Sequence, residues 1–329
     1  MQDFASAAMI RVIQAGILRL GLPPVPQLPN KKAHVPLQDK RALVGHVLRT
    51  GGWSAVLQLG RGVHDIHDEP LIHLLVQAGQ PWRVLDAWLR LERYLHSRHR
   101  IVQTRISDCT ALHQHAGRVA GASPMAAESW LVLGVLAALL ERSGCRGVDA
   151  SLQDASPLLR NSRVVATAQQ LDEWSNSGSA HTWTLQWQGL RLDAVHPAPD
   201  TTVSPTAEAS FKEQVNRWVQ ETGNWQPDVS EVASALNLSG RSLQRRLAEQ
   251  GTRFVDVIGQ IRVERASQLL TRGHASLAEI GFASGYTDQA HFCRDFKRRC
   301  GLTPKSFRDT ALVDSQSAVI CIKNSNQTT

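Results

Sequence analysis

The sequence predicts an α+β N-terminal domain followed by an all-α domain with two helix-turn-helix motifs joined by a long helix. The chain has 329 residues, which is more than one ordinary hydrophobic core accommodates. Helical and alternating apolar patterns are mixed before residue 196, whereas helical patterns dominate from residue 209 onward. We therefore expect domains over residues 1–195 and 209–310, a linker rich in Pro, Thr, Ser and Asp over 196–208, and a flexible polar tail over 311–329.

Five helices and two hairpins are expected in residues 1–195. The helical segments are Ala5–Leu20, Gln38–Arg49, Pro70–Ala78, Pro81–His96 and Pro124–Arg142. One hairpin joins Ile101–Ser107 to Thr110–His115 around Asp108. A second is expected to join Thr182–Gln188 to Leu190–Val195 around Gly189.

The composition narrows the class of protein. Hydrophobic residues make up 42% and charged residues 20%, which is typical of a folded chain. The net charge of +7 weakly favours a polyanionic partner. The five cysteines include no C-x-x-C pair, so we expect free thiols in the cytoplasm. The first apolar stretch carries Arg11 and Arg19, and the longest apolar run, Trp130–Leu140, is too short for a bilayer, so no membrane partner is expected.

The first helix-turn-helix motif is predicted over residues 228–249. Asp228 caps a helix over Val229–Leu236, and Asn237 can take the left-handed conformation that ends it. Ser239 then caps a second helix, Gly240–Glu249, whose Leu243 and Leu247 face the core.

The opposite face of that second helix is polar and basic. Arg241, Gln244, Arg245 and Ala248 follow the i, i+3, i+4, i+7 spacing of one helix face. Arginine can bind guanine and glutamine can bind adenine in the DNA major groove. A charged helix face can equally be a solvated surface. The turn that precedes it favours contact with DNA.

A second copy of the motif follows 48 to 49 residues later, after a long helix predicted over Arg253–Arg272. Ser276 caps Leu277–Ser284 with Glu279 as its capping-box partner, and Gly285 supplies a positive φ at the turn. Thr287 or Asp288 caps a second helix over Gln289–Arg299. Phe292 and Phe296 anchor that helix, and Pro304 opens a last short one.

These residues resemble the AraC/XylS family of bacterial transcription regulators. The resemblance rests on L236-N-L-S-G-R-S-L-Q-R-R-L247 and on I280-G-F-A-S-G-Y-T-D-Q-A-H-F-C-R-D-F-K-R-R-C-G-L-T-P-K-S-F-R308. It implies a sequence-specific regulator that binds double-stranded DNA and recruits RNA polymerase. The base-reading residues that it implies are Arg241, Gln244 and Arg245, then Gln289 and Arg294. The phosphate contacts that it implies are Ser239, Arg246, Thr287, Lys297 and Arg298.

Three positions depart from the family pattern. Gly281 stands where the family has Ala, at a cost of about 0.5–1 kcal/mol of helix stability. Asp295 stands where the family has a small residue; it can pair with Arg298 or Arg299, and unpaired it would repel phosphate. His291 is also unusual and makes pH-dependent DNA affinity conceivable.

Residues 1–195 resemble, more loosely, the effector-binding domain of the family branch that includes arginine and ornithine regulators. The order of helices and hairpin around P81-W-R-V-L-D-A-W-L-R-L-E-R-Y94 carries this resemblance. It implies an activator that responds to a small-molecule effector and allows a homodimer. The effector and the residues that bind it are not identified by the sequence. The alternative is a domain that serves only dimerisation or polymerase contact.

An enzymatic alternative depends on the histidines of the first domain. His64-x-x-His67 with Asp68 and Glu69, His96-x-x-His99 and His113-x-His115 have spacings that metal sites use. Such spacings are permissive, and the sequence contains no H-E-x-x-H, G-x-S-x-G or P-loop motif. We therefore expect no enzyme activity, no catalytic residues, no metal site and no cofactor.

Overall fold

The computed structural model describes residues 3–25, 34–66, 69–76, 80–95, 98–119, 121–190, 210–272 and 275–311. Their contacts define two compact units, one within Met1–His196 and one within Pro197–Leu312. The predicted linker over 196–208, and the predicted tail beyond Ala311, lie outside the described residues. Their proposed boundaries and flexibility therefore stay predictions.

The first unit has an α+β architecture, as predicted. In chain order its elements are β1 (Phe4–Ser6), α1 (Ala7–Arg19), β2 (His34–Pro36), α2 (Leu37–Gln58), a 3-10 turn (Leu59–His64), α3 (Pro70–Val76), α4 (Pro81–Leu95), β3 (His99–Ser107), β4 (Thr110–Gly117), α5 (Ala126–Arg142), β5 (Cys145–Leu152), β6 (Pro157–Arg160), β7 (Arg163–Val164), α6 (Ala168–Ser177), a 3-10 turn (Ser179–His181) and β8 (Thr182–Leu190). The five predicted helices correspond to α1 to α5.

The main sheet has six antiparallel strands in the order β3-β4-β8-β5-β6-β7. The predicted hairpin around Asp108 is confirmed as β3 and β4. The turn predicted at Gly189 is wrong, because β8 continues through Gly189 to Leu190, which pairs with Cys145. Residues 191–195 of the strand predicted to follow it lie outside the described residues. Strand β8 lies between β4 and β5, so these two partners come from segments distant in the sequence.

Helix α5 is the centre of the first unit. Every residue from Ala127 to Leu140 is buried, which explains why this segment is apolar on all sides. Gly134 allows the backbone at the end of α2 to lie directly against α5, since a Cβ at this position would collide with the carbonyl of Leu57.

A buried ion cluster joins α2 to the start of α5. Glu128 is 1% exposed, and its carboxylate lies 3.1 Å from Lys40 Nζ and 3.2 Å from Arg41 Nε. The Met125 backbone N–H donates to the same carboxylate at 3.1 Å. Burial lowers the pKa of Lys40, and Glu128 opposes that shift. The two charges therefore have to be buried together.

The second unit is helical in its described part. Its helices are α7 (Phe211–Thr222), α8 (Val229–Ala235), α9 (Gly240–Glu249), α10 (Phe254–Arg272), α11 (Leu277–Ala283), α12 (Gln289–Cys300) and α13 (304–311). One core surrounds the first motif, where Leu243 and Leu247 of α9 pack with Val257 and Ile261 of α10. In the second motif Phe292, Phe296 and Phe307 are fully buried, with neighbouring rings 5.7 and 5.3 Å apart.

Across the described ranges, no helix has both the length and the apolar character needed to cross a membrane.

Candidate nucleic-acid interface

The two predicted motifs have the same backbone at their turns. Asn237 and Gly285 both have left-handed φ values, 56° and 83°. One residue later, Leu238 N–H donates to the Ala233 carbonyl at 2.8 Å, and Tyr286 N–H donates to the Gly281 carbonyl at 2.9 Å. The 48-residue repeat inferred from the sequence is therefore confirmed in three dimensions, as α8–α9 and α11–α12.

Side-chain caps set the start of each second helix, which we call a recognition helix. Ser239 Oγ accepts from Ser242 N–H at 3.1 Å at the start of α9. At the start of α12, Asp288 accepts from His291 N–H at 2.7 Å. Asp288 is therefore the cap, and Thr287 is an exposed turn residue. Both positions lie at helix N-termini, where backbone N–H groups favour anions.

Helix α9 exposes the polar face that the sequence predicted. Arg241, Gln244 and Arg245 are exposed, and Leu243 and Leu247 are fully buried. Arg245 Nη1 lies 3.1 Å from Glu249 Oε1, but the two side chains are 68% and 59% exposed. Such a solvated pair contributes little, so the Arg245 guanidinium can exchange this partner for another.

Arg246, a predicted phosphate contact, also has a structural role. It is half-buried, and its guanidinium lies 4.7 Å from the centre of the Phe211 ring. Helix α7 therefore holds this arginine beside α9.

Helix α12 exposes the second predicted set, but not on a single face. Gln289 and Arg294 are exposed, as is Lys297. Gln289 and Arg294 are five residues apart, so they lie about 140° apart around the helix axis. Arg294 occupies the position equivalent to Arg245 in the repeat, since Phe292 and Phe296 align with Leu243 and Leu247. Gln289 is the first residue of α12 and has Gly240 as its equivalent.

Asp295 is buried and paired, so it is not the unpaired acid that would repel phosphate. The residue is 6% exposed and accepts from Tyr286 Oη at 3.0 Å and from Arg299 Nε at 3.1 Å. It also pairs with Arg298. Burial alone would raise the pKa of Asp295, but the hydrogen bond with Arg298 and the charge of Arg299 lower it below its ordinary value. The carboxylate is thus neutralised within the protein.

The same network ties α12 to the long helix α10. Arg299 Nη1 donates to the Asp256 carbonyl at 3.3 Å, and the Arg299 side chain is 13% exposed. Gly259 of α10 leaves the space that this guanidinium fills. The i, i+4 spacing of Asp295 and Arg299 was visible in the sequence, but neither its burial nor the contact with α10 was.

A surface cleft of about 530 Å³ lies beside α9. Its lining consists of Pro227, Asp228, Val229, Gln244, Arg253, Phe254 and Val255. One predicted base-reading residue, Gln244, therefore forms part of a concave wall rather than a purely convex surface.

The histidines that suggested a metal site have other neighbours. His64 Nε2 lies 3.1 Å from Glu141, His113 Nε2 lies 3.1 Å from Gln103, and His115 Nδ1 lies 2.9 Å from Ser129. His67, Asp68 and His96 lie outside the described residues. Among the residues that are described, no three His, Cys, Asp or Glu side chains form a group that could hold a metal ion.

Comparison with known proteins agrees with this geometry. Residues 232–310 match the model of a helix-turn-helix domain. The ornithine utilization regulator of Pseudomonas aeruginosa is 36% identical over 83 residues, which are 25% of this chain and 24% of that one. The regulator GlxA of Rhizobium meliloti is 38% identical over 82 residues, 25% of each chain. The virulence regulon transcriptional activator VirF of Shigella flexneri is 26% identical over 107 residues, 32% of this chain and 41% of that one.

The second unit is therefore a DNA-binding domain of the helix-turn-helix class. More particularly, it is similar to the helix-turn-helix domains of these relatives, which are named as transcription regulators rather than enzymes. The chain spans about a quarter to two fifths of the length of these relatives. The resemblance of residues 1–195 to an effector-binding domain thus stays a prediction.

Proposed function

We propose that the whole protein is a sequence-specific DNA-binding transcription regulator that uses α9 and α12 as recognition helices. The observation that carries this proposal is the pair of helix-turn-helix motifs with the same left-handed turn and hydrogen bond, each with exposed basic side chains on its second helix. Both are attached to one helix, α10, of 19 residues. At about 1.5 Å per residue, such a helix is about 28 Å long, close to the roughly 34 Å that separates successive major grooves on one side of DNA.

Base readout is assigned to the exposed side chains of the recognition helices. Arg241, Gln244 and Arg245 would contact one major groove, and Arg294 with Gln289 would contact the next. Arg245 and Arg294 are equivalent in the repeat, so we assign them the same kind of contact, a bidentate bond to guanine. Gln289, at the first position of α12, would reach a base or phosphate at the edge of the contact.

Phosphate contacts are assigned to the flanks of the two helices. Ser239 and Thr287 lie at the N-terminal ends of α9 and α12, and Lys297 is exposed near the end of α12. Arg246 and Arg298 would contribute while keeping their protein partners, Phe211 and Asp295. Contacts of this kind position the protein but do not select the sequence.

The first unit is assigned an effector-binding role, and the regulator is assigned as an activator. The relative VirF is named a transcriptional activator. By analogy with the family, RNA polymerase would be the partner that such an activator recruits. A small molecule would act by binding one conformational state better than another. The second candidate is a first unit that provides only dimerisation or polymerase contact.

Selection from a random DNA pool with the purified full chain tests the proposal. We expect enrichment of two half-motifs about one helical turn apart. Arg245→Ala should then cost about 1–3 kcal/mol and relax preference at one base pair. The matched control is Lys297→Ala, which should weaken all sites alike and reduce the salt dependence by about one phosphate contact. An Arg245→Ala loss that is uniform over all sequences would contradict its role in base readout.

A further inference from the structure

Trp225 connects the two helix-turn-helix motifs through contacts with both of them. It lies between α7 and α8, and its half-buried ring packs against the core of the first motif. Its backbone carbonyl accepts a hydrogen bond of 2.8 Å from Arg262 Nε on α10. One residue is thus bound to the first motif by its side chain and to the long helix by its backbone.

The turn of the second motif lies directly against the same residue. A Cβ at Gly285 would come within 2.8 Å of both the carbonyl carbon and the Cβ of Trp225, and closer still to its carbonyl oxygen. Gly285 also has a φ of 83°, which disfavours any other residue. The contact therefore involves backbone atoms of Trp225 and Gly285. These atoms can separate only if the chain segments that carry them also move.

Two arginines of α10 complete this arrangement. The Arg262 guanidinium lies 5.7 Å from the centre of the Tyr286 ring, so Arg262 contacts both Trp225, which packs against the first motif, and Tyr286 of the second motif. The Arg265 guanidinium lies 5.0 Å from the centre of the Trp225 ring. The connection between the motifs thus depends on a side chain with two partners, Trp225 and Tyr286.

We propose that this Trp225–Arg262–Gly285 contact sets the distance and angle between α9 and α12, so that the protein selects DNA by the spacing of two half-motifs as well as by their bases. The inference rests on the proposed function, because it assumes that both helices bind DNA. Arg262, Trp225 and Gly285 are positioning residues: they act through the recognition helices and are not assigned to DNA.

A protein whose recognition helices are held rigidly is sensitive to the spacing between the two half-motifs. Adding one base pair between the half-motifs moves the second by about 3.4 Å along the DNA and rotates it by about 35°. A protein with fixed recognition helices can then engage only one half-motif without distortion. A protein with a loosened connection can engage both, but it has to order the two motifs on binding, which weakens the correctly spaced site.

The test compares the full chain and its variants on three DNA probes: the selected site, the same site with one base pair added between the half-motifs, and a single half-motif. Arg262→Met removes the donor to Trp225 and the cation over Tyr286 while keeping a side chain of similar length. Trp225→Ala removes the ring, and Trp225→Phe restores a ring at the same place. Arg217→Met is the charge-matched control, because Arg217 is exposed on α7.

The wild-type protein and Arg217→Met should bind the selected site at least about tenfold more tightly than the lengthened site, a difference of about 1.4 kcal/mol. In Arg262→Met and Trp225→Ala this ratio should fall to about threefold or less, with single half-motif affinity unchanged and with recovery in Trp225→Phe. A wild-type ratio near one, or full spacing preference in both variants, would overturn the inference. Loss of half-motif binding in both variants would also overturn it, since the contact would then maintain the motifs themselves.

Failure of the proposed function is a distinct result: no motif would be enriched, and Arg245→Ala would have no sequence-dependent effect.

Discussion

Asp295→Ala distinguishes two roles for the buried carboxylate of α12. If Asp295 mainly repelled phosphate, its removal would tighten DNA binding. The structure predicts instead that the second motif loses stability, because three partners surround this carboxylate. Arg299, 13% exposed, would keep only the more distant Asp256 carboxylate, at 3.8 Å, as an ionic partner.

The size of the effect follows from burial. Removing one partner of a buried ion pair costs about 3–5 kcal/mol, because the other charge stays buried. Tyr286, 1% exposed, would also lose the acceptor of its hydroxyl. The Arg298 side chain is 52% exposed and can turn to solvent, and Asp256 partly replaces Asp295, so we expect the lower end, about 3 kcal/mol.

Hydrogen–deuterium exchange of peptides from α12 measures this loss where it occurs. A loss of about 3 kcal/mol accelerates exchange through unfolding by about 150-fold, up to the limit set by the total stability of the domain. Asp309→Ala, at an exposed position of α13, is the matched control and should change stability by less than about 0.5 kcal/mol. Tighter DNA binding by Asp295→Ala without faster exchange would refute this reasoning and support phosphate repulsion.

Two further predictions concern the first motif and the first unit. Asn237→Ala should destabilise the first motif by about 1–2 kcal/mol, because alanine disfavours the left-handed φ of 56°, whereas Asn237→Gly should be close to neutral in the same thermal unfolding experiment. In the first unit, burial lowers the pKa of His99 and His113 to about 4 and that of His115 to about 3, and it raises the pKa of Glu92 to about 7. Between pH 6.5 and 4.5 the unfolded chain therefore binds three histidine protons that the folded chain lacks, while the folded chain binds one Glu92 proton that the unfolded chain lacks. Stability should fall by up to about 2.7 kcal/mol per pH unit as the pH is lowered through this window. Urea unfolding of the full chain at several pH values measures the slope, and a slope of opposite sign would show that the folded chain does not hold these histidines neutral.

Local sequence patterns were sufficient to predict the positions of most of the helices. Pro81 opens α4 as predicted, and the expected apolar positions of that helix, such as Trp88 and Leu91, are buried. The caps Ser239 and Ser276, and the left-handed turns at Asn237 and Gly285, are also where short-range chemistry placed them. These caps and turns depend on interactions between residues three to five positions apart, so they can be predicted from the sequence alone.

Features that depend on distant partners were missed or wrong. Strands β6 and β7 are only four and two residues long, and β5 to β7 are held by pairing with β8 and with one another. The turn expected at Gly189 is absent because the sheet, rather than the local sequence, decides where β8 ends. The Trp225 contact with Gly285 joins residues 60 positions apart. No local pattern specifies such pairs, because their energy comes from burial in the assembled domain.

The two motifs show how one backbone can be stabilised by different interiors. At the crossing of its two helices the first motif has Ala233 with Leu243, and the second has Gly281 with Phe292. A Cβ at Gly281 would come within 3.2 Å of three Phe292 atoms, so the alanine typical of the family requires the Phe292 side chain to shift by a few tenths of an ångström. Phe292 and Phe296 fill the space that leucines fill in the first motif, and the Asp295–Tyr286–Arg299 network connects α12 to α10. The departures at Gly281 and Asp295 therefore belong to one repacked interior, and changing Asp295 alone to a small residue should destabilise the second motif rather than improve it.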